Sequence, residues 1–124
     1  MTKTILVVED ERALSEAIEK GLKKSSFNVI TVSSASAAKE VLGSGTKIHG
    51  IWLDHYLLGK DTGLDLLYEI KGNNDWKNIP VFVVTNSVGD EKVATYELLS
   101  IEKYFVKSNN SLAEIVGSVK EVLA

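Results

Sequence analysis

Three carboxylates, one hydroxyl and one ammonium group stand where hydrophobic runs of the sequence end. Glu9 and Asp10 follow the run TILVV, Asp54 follows IWL, Thr85 closes PVFVVT, and Lys107 closes KYFVK. Clustered carboxylates repel one another unless a cation compensates them, and Mg²⁺ prefers oxygen ligands of this kind. A carboxylate beside Mg²⁺, a lysine and a hydroxyl can attack a phosphoryl group. The residue types therefore predict phosphoryl-transfer chemistry.

The hydrophobic pattern predicts the elements that must bring these residues together. Short apolar runs rich in β-branched residues predict strands over residues 4–10, 27–32, 49–54, 80–85 and 103–107. Apolar residues at spacings of three and four predict helices over 11–24, 34–43, 63–71, 89–100 and 110–123. Strands that alternate with helices predict a single α/β domain over residues 1–124, with a doubly wound, open parallel sheet covered on both faces.

Taken alone, each of the five residues has a simpler explanation. Asp10 could cap the first helix, Thr85 could be an ordinary β-branched strand residue, and Lys107 could be a solvated charge. In an open parallel sheet, however, ligands bind outside the carboxyl ends of the strands, and all five residues stand at such ends. Their joint occurrence there favours a functional site.

The fourth helix has the least regular apolar pattern of the five. Its candidate core residues are Val93, Ala94, Leu98 and Leu99. They do not form a clean stripe at helical spacing, so the face that this helix turns to the core is weakly specified.

Four aromatic residues are predicted to be structural rather than chemical. If the third strand continued, His55 would point to the opposite face from Asp54, which favours a packing or surface role over metal binding. His49 opens the same strand and Trp52 lies within it, so both are expected to be structural. Trp76 is expected to anchor the polar loop GNNDWKN, with an exposed contact to a partner as the alternative.

Composition excludes several classes of function. The chain has 124 residues, a formal net charge of −3 and no cysteine, so disulfides, thiolate catalysis and cysteine-based metal sites are absent. No apolar run approaches a membrane span, and MTKTILVVEDE lacks the pattern of a signal peptide. A cytoplasmic protein without membrane attachment is expected. The mild acidity argues against direct binding of nucleic acid.

The order and spacing of ILVVEDE, IWLD, IPVFVVT and YFVK resemble the receiver domain of two-component response regulators over essentially the whole chain. The resemblance implies a flavodoxin-like (βα)5 fold with strand order 2-1-3-4-5. It also implies a phosphorylation-dependent signalling switch rather than an enzyme with a separate substrate. Its phosphoryl donor would be a sensor histidine kinase or a phosphotransfer protein. Its output would pass to a downstream protein or to an effector domain outside this chain.

The resemblance assigns roles to individual residues of the site. It implies that Asp54 is the phosphorylated residue and that Asp10, Asp54 and the main-chain carbonyl of Tyr56 bind Mg²⁺ directly. Glu9 would bind the ion mostly through water. Asp54 would act together with the hydroxyl of Thr85 and the ammonium group of Lys107. These three groups would promote both the transfer of the phosphoryl group to Asp54 and its later removal.

The hydroxyl and the ammonium group carry implied roles in switching as well. Thr85 would hydrogen-bond the phosphoryl group and Lys107 would pair with it. Tyr104 resembles the aromatic residue that turns inward when the threonine moves. The altered surface would comprise the fourth helix, the fifth strand and the fifth helix. Contacts with the phosphoryl group would shift the population of the protein towards the conformation that presents this altered surface.

The sequence departs from the family pattern at several points. Glu9 stands where an aspartate is commoner, Asn86 stands where a small residue is common, and Leu58 and Ser108 stand where prolines are common. The loop before Gly63 is one residue longer than the commonest version. In the family, the proline at the position of Ser108 commonly follows a cis bond. A cis bond before a residue other than proline costs about 2.5–4 kcal/mol. The Lys107–Ser108 bond is therefore either trans, with a shifted loop, or cis and strained.

Two other classes of function compete with the switch. A pseudo-receiver that is never phosphorylated would have the same fold, but the intact Asp10, Asp54, Thr85 and Lys107 argue against it. A flavin-binding or phosphatase relative is also disfavoured. The loop VEDERA is acidic rather than glycine-rich, and position 56 is tyrosine rather than a second aspartate.

The ring of Tyr56 is predicted to hinder the water that would remove the phosphoryl group.

Overall fold

Strands and helices alternate along the chain. The computed structural model describes residues 2–124, and its strands are β1 (Thr4–Val8), β2 (Asn28–Val32), β3 (Gly50–Leu53), β4 (Val81–Thr85) and β5 (Lys103–Val106). The helices are α1 (Arg12–Lys24), α2 (Ala35–Leu42), α3 (Gly63–Lys71), α4 (Asp90–Leu98) and α5 (Leu112–Leu123). Within residues 2–124, no helix has both the length and the apolar character needed to cross a membrane.

The strands form one sheet in the order β2-β1-β3-β4-β5, and every neighbouring pair is parallel. Val8 lies level with Val32 on one side and with Leu53 on the other. Thr85 lies level with Val106. The carboxyl ends of the strands therefore meet along one edge. The predicted doubly wound, flavodoxin-like α/β fold and its strand order are confirmed.

Two hydrophobic clusters cover the two faces of the sheet. Successive strand residues point to opposite faces, so Leu6 and Val8 join one cluster while Ile5 and Val7 join the other. The first cluster includes residues of α2, α3 and α4, and the second includes residues of α1 and α5. Trp52 is fully buried in the second cluster, as predicted. The central strands are thereby held rigidly at the edge where the polar residues collect.

Two main-chain hydrogen bonds continue the sheet just beyond its central strands. The strand β1 ends at Val8, two residues before its predicted end at Asp10, and β3 ends at Leu53, one residue before its predicted end at Asp54. The N–H of Glu9 still donates to the carbonyl of Val32 at 3.0 Å, and the N–H of Asp54 donates to the carbonyl of Val8 at 3.0 Å. Both carboxylates are therefore fixed by the sheet although they lie outside its strands.

The face that α4 turns to the core differs from the prediction. Tyr96 is the buried residue of this helix, whereas Leu98 is 83% exposed and Ala94 is also exposed. The prediction that Ala94 and Leu98 belong to the core is wrong. A phenol ring with a hydrogen-bonded hydroxyl fills the space instead, and the helix turns accordingly.

Candidate functional site

Asp54 lies at the centre of the sheet edge and is only 2% exposed. The start of α3 packs directly against its main chain. The N–H of Gly63 donates to the carbonyl of His55 at 2.8 Å, and a Cβ at Gly63 would lie 2.1 Å from the carbonyl oxygen of Asp54. Only glycine permits this approach. In the sequence, only a glycine at the first position of a predicted helix signals this role of Gly63.

Lys107 joins two acidic residues that follow different strands. Its Nζ donates to Oδ2 of Asp54 at 2.9 Å and to Oε1 of Glu9 at 2.9 Å. Glu9 is 2% exposed, and its second oxygen accepts a hydrogen bond from the N–H of Glu11 at 3.1 Å. The residues that follow β1, β3 and β5 therefore form one buried ionic cluster.

The electrostatics of this cluster follow from its burial. Burial raises the pKa of the Glu9 carboxyl above its ordinary value, and the hydrogen bond from Lys107 opposes that shift. Burial by itself would lower the pKa of Lys107, but its hydrogen bonds to Glu9 and Asp54 outweigh that effect and the pKa is raised. Lys107 therefore stays protonated at neutral pH.

Asp10 completes an acidic group at the solvent side of the cluster. Carboxylate oxygens of Glu9, Asp10 and Asp54 all lie within 4.8 Å of one another. Asp10 is exposed and is not the cap of α1, since Glu11 holds that position without a side-chain hydrogen bond. Three carboxylates against one ammonium leave two negative charges in excess. The donor set consists of oxygen only, so the cluster fits a hard divalent cation such as Mg²⁺.

Two buried hydroxyls close to this edge have no hydrogen-bond partner within residues 2–124. They belong to Thr85, at the end of β4, and to Tyr104, on β5. A buried hydroxyl without a partner is costly, so each could gain energy from an acceptor that enters the site or from a change of rotamer. The N–H of Lys107 donates to the carbonyl of Thr85 at 2.9 Å, which links the two strand ends directly.

Tyr56 crosses from the β3–α3 loop to the β4–α4 loop. Its hydroxyl donates to the carbonyl of Ser87 at 2.9 Å, and the ring is 48% exposed. Its main-chain N–H donates to Oδ1 of Asp54 at 3.4 Å. The ring therefore bridges two loops at the mouth of the site. The metal-binding role of the Tyr56 carbonyl stays a prediction.

His55 and Tyr96 form a buried polar contact that the sequence pattern does not predict. Nδ1 of His55 and the hydroxyl of Tyr96 lie 2.6 Å apart and share a hydrogen bond. Burial lowers the pKa of His55 and raises that of Tyr96, so both side chains are neutral at physiological pH. The prediction that His55 is a packing residue is confirmed.

His49 and Trp76 have the structural roles that were predicted for them. His49 accepts a hydrogen bond at Nδ1 from the N–H of Thr4 at 3.0 Å, and Trp76 packs partly buried against the first hydrophobic cluster.

The two loops that depart from the family pattern contain no cis peptide bond, and the β3–α3 loop turns at Gly59 with a φ of 91°. No cis peptide bond occurs among the described residues, so the Lys107–Ser108 bond is trans. The exposed Leu58 extends the β3–α3 loop to the start of α2, where its N–H donates to the carbonyl of Ser33 at 3.0 Å.

An acidic cluster and a paired lysine at this edge of a 2-1-3-4-5 sheet define a class of signalling receiver domains. The chain belongs to the response regulator receiver domain family, whose match covers residues 5–120. Response regulator Rcp1 from Synechocystis sp. is 38% identical over 117 residues, which cover 87% of this chain and 78% of that protein. The resemblance to two-component receiver domains is thereby confirmed.

Solved structures of related proteins agree with this assignment. The phosphorylated cyanobacterial phytochrome response regulator RcpA is 28% identical and superposes with a TM-score of 0.83, covering 98% of this chain and 91% of that one. The Mn²⁺-bound form of Rcp1 is 33% identical with a TM-score of 0.81, covering 97% and 91% of the two chains. These two relatives are thus a phosphorylated protein and a metal-bound protein of the same fold.

Proposed function

We propose that the protein is a phosphorylation-dependent signalling switch whose phosphoacceptor is Asp54. The observation that carries the proposal is the buried Asp54 carboxylate, bonded to Lys107 at 2.9 Å and grouped with the carboxylates of Glu9 and Asp10. A carboxylate that only stabilised the fold would not need two acidic neighbours. Like charges at close range raise the free energy of the folded state unless a ligand compensates them.

The proposed reaction is the transfer of a phosphoryl group to a carboxylate oxygen of Asp54. A P–O bond forms at that oxygen while the P–N bond to the donor histidine breaks, and the electron pair leaves with the imidazole nitrogen. Lys107 neutralises the phosphoryl oxygens, and Thr85 donates its free hydroxyl to one of them. The same groups would assist the later attack of water on phosphorus, so no separate substrate is needed.

Glu9, Asp10, Asp54 and the carbonyl of Tyr56 are the proposed residues for Mg²⁺. The fit rests on the excess negative charge and on the all-oxygen donor set of the acidic cluster. When bound, the ion supplies positive charge beside the transferring phosphoryl group. The chain's own residues hold the acceptor oxygen in place and exclude bulk water from it.

The proposed output surface comprises α4, β5 and α5. Thr85 and Tyr104 would transmit the effect of phosphorylation to this surface. Both have buried hydroxyls without hydrogen-bond partners, and a phosphoryl group on Asp54 would rearrange these hydroxyls. The proposed phosphoryl donor is a sensor histidine kinase or a phosphotransfer protein in the cytoplasm. The recipient of the signal is a downstream protein or an attached effector domain.

Acetyl phosphate, a small donor, provides the direct test. The wild type is incubated with acetyl phosphate and Mg²⁺, and the intact mass is measured. We expect one added phosphoryl group in the wild type and none in Asp54→Asn. The matched control is Asp61→Asn in the same loop, which should be modified like the wild type.

The same measurement separates the switch from a pseudo-receiver. A pseudo-receiver would acquire no phosphoryl group at any Mg²⁺ concentration. An adduct that persists in Asp54→Asn would mean that another residue is the acceptor, which would contradict the proposed function.

A further inference from the structure

The helix α4 is anchored to the body of the protein by a single buried side chain. Tyr96 is the one fully buried residue among the nine residues of this helix, and its hydroxyl bonds to His55 at 2.6 Å. The N-terminus of the helix has no side-chain cap, since Gly89 occupies the cap position with a φ of 90°. A helix attached this sparsely can shift at low cost.

The partner of that anchor is the residue next to the phosphoacceptor. His55 is joined to Asp54 by a peptide bond and is 3% exposed, so its ring can move little without moving the main chain beside the site. Its ring also meets the Tyr56 ring edge to face at a centroid distance of 5.0 Å. Tyr96 in turn lies 5.8 Å from the ring of Tyr104. The four rings form one contact chain from the mouth of the site to β5.

We propose that the hydrogen bond between His55 and Tyr96 couples the phosphoacceptor loop to α4, as a second route beside Thr85 and Tyr104. The inference rests on the proposed function, since it needs a phosphorylation event at Asp54 to transmit. A phosphoryl group on Asp54 must be accommodated by the loop that carries His55. Any displacement of His55 therefore acts through this hydrogen bond on Tyr96, the only buried residue of α4. By linkage, a partner that binds α4 alters phosphorylation of Asp54 through the same bond.

Tyr96→Phe removes the hydroxyl and keeps the ring, so the buried packing is preserved. Amide hydrogen exchange of α4 is measured with and without acetyl phosphate and Mg²⁺, and the intact mass of the same samples gives the extent of phosphorylation. The readout is the ratio of the α4 exchange rates in the two states of one variant. A purely structural loss acts on both states and cancels in that ratio. We expect Tyr96→Phe to reduce the effect of phosphorylation on α4 about fivefold, as the loss of one coupling hydrogen bond implies.

The matched control is Tyr68→Phe, which removes an exposed hydroxyl from α3 and should keep the wild-type ratio. A second variant, His55→Leu, removes the other partner, and the double variant should lose no more than either single one. A wild-type ratio in phosphorylated Tyr96→Phe would overturn the coupling and leave the proposed function intact. Absence of a phosphoryl adduct in the wild type would overturn both.

Discussion

Nζ of Lys107 lies 2.9 Å from Oδ2 of Asp54, and the Asp54 side chain is only 3% exposed. The lysine also neutralises Glu9, whose side chain is 1% exposed. A single ammonium group thus keeps two buried carboxylates compatible with the folded state. The same contact places the lysine beside the atom that would receive a phosphoryl group, so one residue would serve both stability and the proposed chemistry.

Replacing Lys107 with methionine should destabilise the protein strongly at neutral pH. Two buried carboxylates would lose their counter-charge, and breaking a buried ion pair from one side costs about 3 kcal/mol. Urea denaturation would measure the loss, and added Mg²⁺ should restore part of it. The control is Lys39→Met, since Lys39 forms an ion pair of equal length with Glu69 at the surface and should matter little. Equal effects of the two substitutions would show that burial of the cluster carries no energetic weight.

Mg²⁺ should stabilise the wild type and should do so less in Asp10→Asn. A ligand that binds only the folded state adds about 2.7 kcal/mol when present at 100 times its Kd. Asp10 is the exposed member of the acidic cluster, so its loss weakens the site without disturbing the core. Thermal unfolding at rising Mg²⁺ concentration measures the effect, with Glu40→Gln at an exposed position of α2 as control. The assignment of Asp10 fails if both variants respond to Mg²⁺ as the wild type does.

The ring of Tyr56 should prolong the lifetime of the phosphorylated state. It crosses the mouth of the site and is fixed by its hydrogen bond to the carbonyl of Ser87, so it would obstruct water that approaches Asp54. We expect Tyr56→Asn to shorten the half-life of the acyl phosphate after the donor is removed. Tyr56→Phe keeps the ring but loses its hydrogen bond to Ser87. The half-life of its acyl phosphate should lie between those of the wild type and Tyr56→Asn. Equal or longer survival in Tyr56→Asn would refute the shielding role.

The sheet and the positions of the acidic residues were predictable because local pattern determines them. Continuous apolar runs such as IWL specify strands buried on both faces, and parallel pairing brings their carboxyl ends to one edge. Asp54 and Glu9 therefore had to lie at that edge once the strands were identified. Strands that end one or two residues early change little, because the main-chain N–H groups of Glu9 and Asp54 continue the ladder of hydrogen bonds.

The contact between His55 and Tyr96 could not be predicted in the same way. It joins residues 41 positions apart, and it depends on how α4 is rotated about its axis. The sequence of α4 carries no clear apolar stripe, so Leu98 looked like a core residue and Tyr96 did not. Pairing of two neutral polar groups leaves no periodic signal, whereas burial of an apolar face does.

Gly63→Ala should destabilise the fold and perturb the phosphoacceptor. A Cβ at this position would lie 2.1 Å from the carbonyl oxygen of Asp54, and forcing extra atoms into a packed site costs about 1–3 kcal/mol. Gly117→Ala in α5 is the matched control, because a Cβ at Gly117 would meet no neighbouring atom within 4 Å and alanine favours helices. Urea denaturation should show opposite signs for the two substitutions. A neutral or stabilising Gly63→Ala would mean that α3 can move away from Asp54 freely.

His49 should make stability depend on pH in the mildly acidic range. Its Nδ1 accepts a hydrogen bond from the N–H of Thr4, which only the unprotonated nitrogen can do. Burial, with Lys47 and Lys3 nearby, lowers the pKa of His49 below its ordinary value of 6.5. The unfolded chain therefore binds the proton more readily than the folded one. Stability is full above the unfolded pKa and falls as the pH drops below it.

The comparison of wild type with His49→Gln isolates this contribution. His55 has a pKa lowered by burial too, but it is present in both proteins and cancels in their difference. The free energy of unfolding is measured in urea at about pH 7.5 and about pH 5.5, on either side of the histidine pKa. We expect the substitution to cost more at the higher pH, because at the lower pH the wild type has already lost part of what His49 contributes. An equal cost at both values, or a larger cost in acid, would mean that the bond from Thr4 does not keep His49 unprotonated.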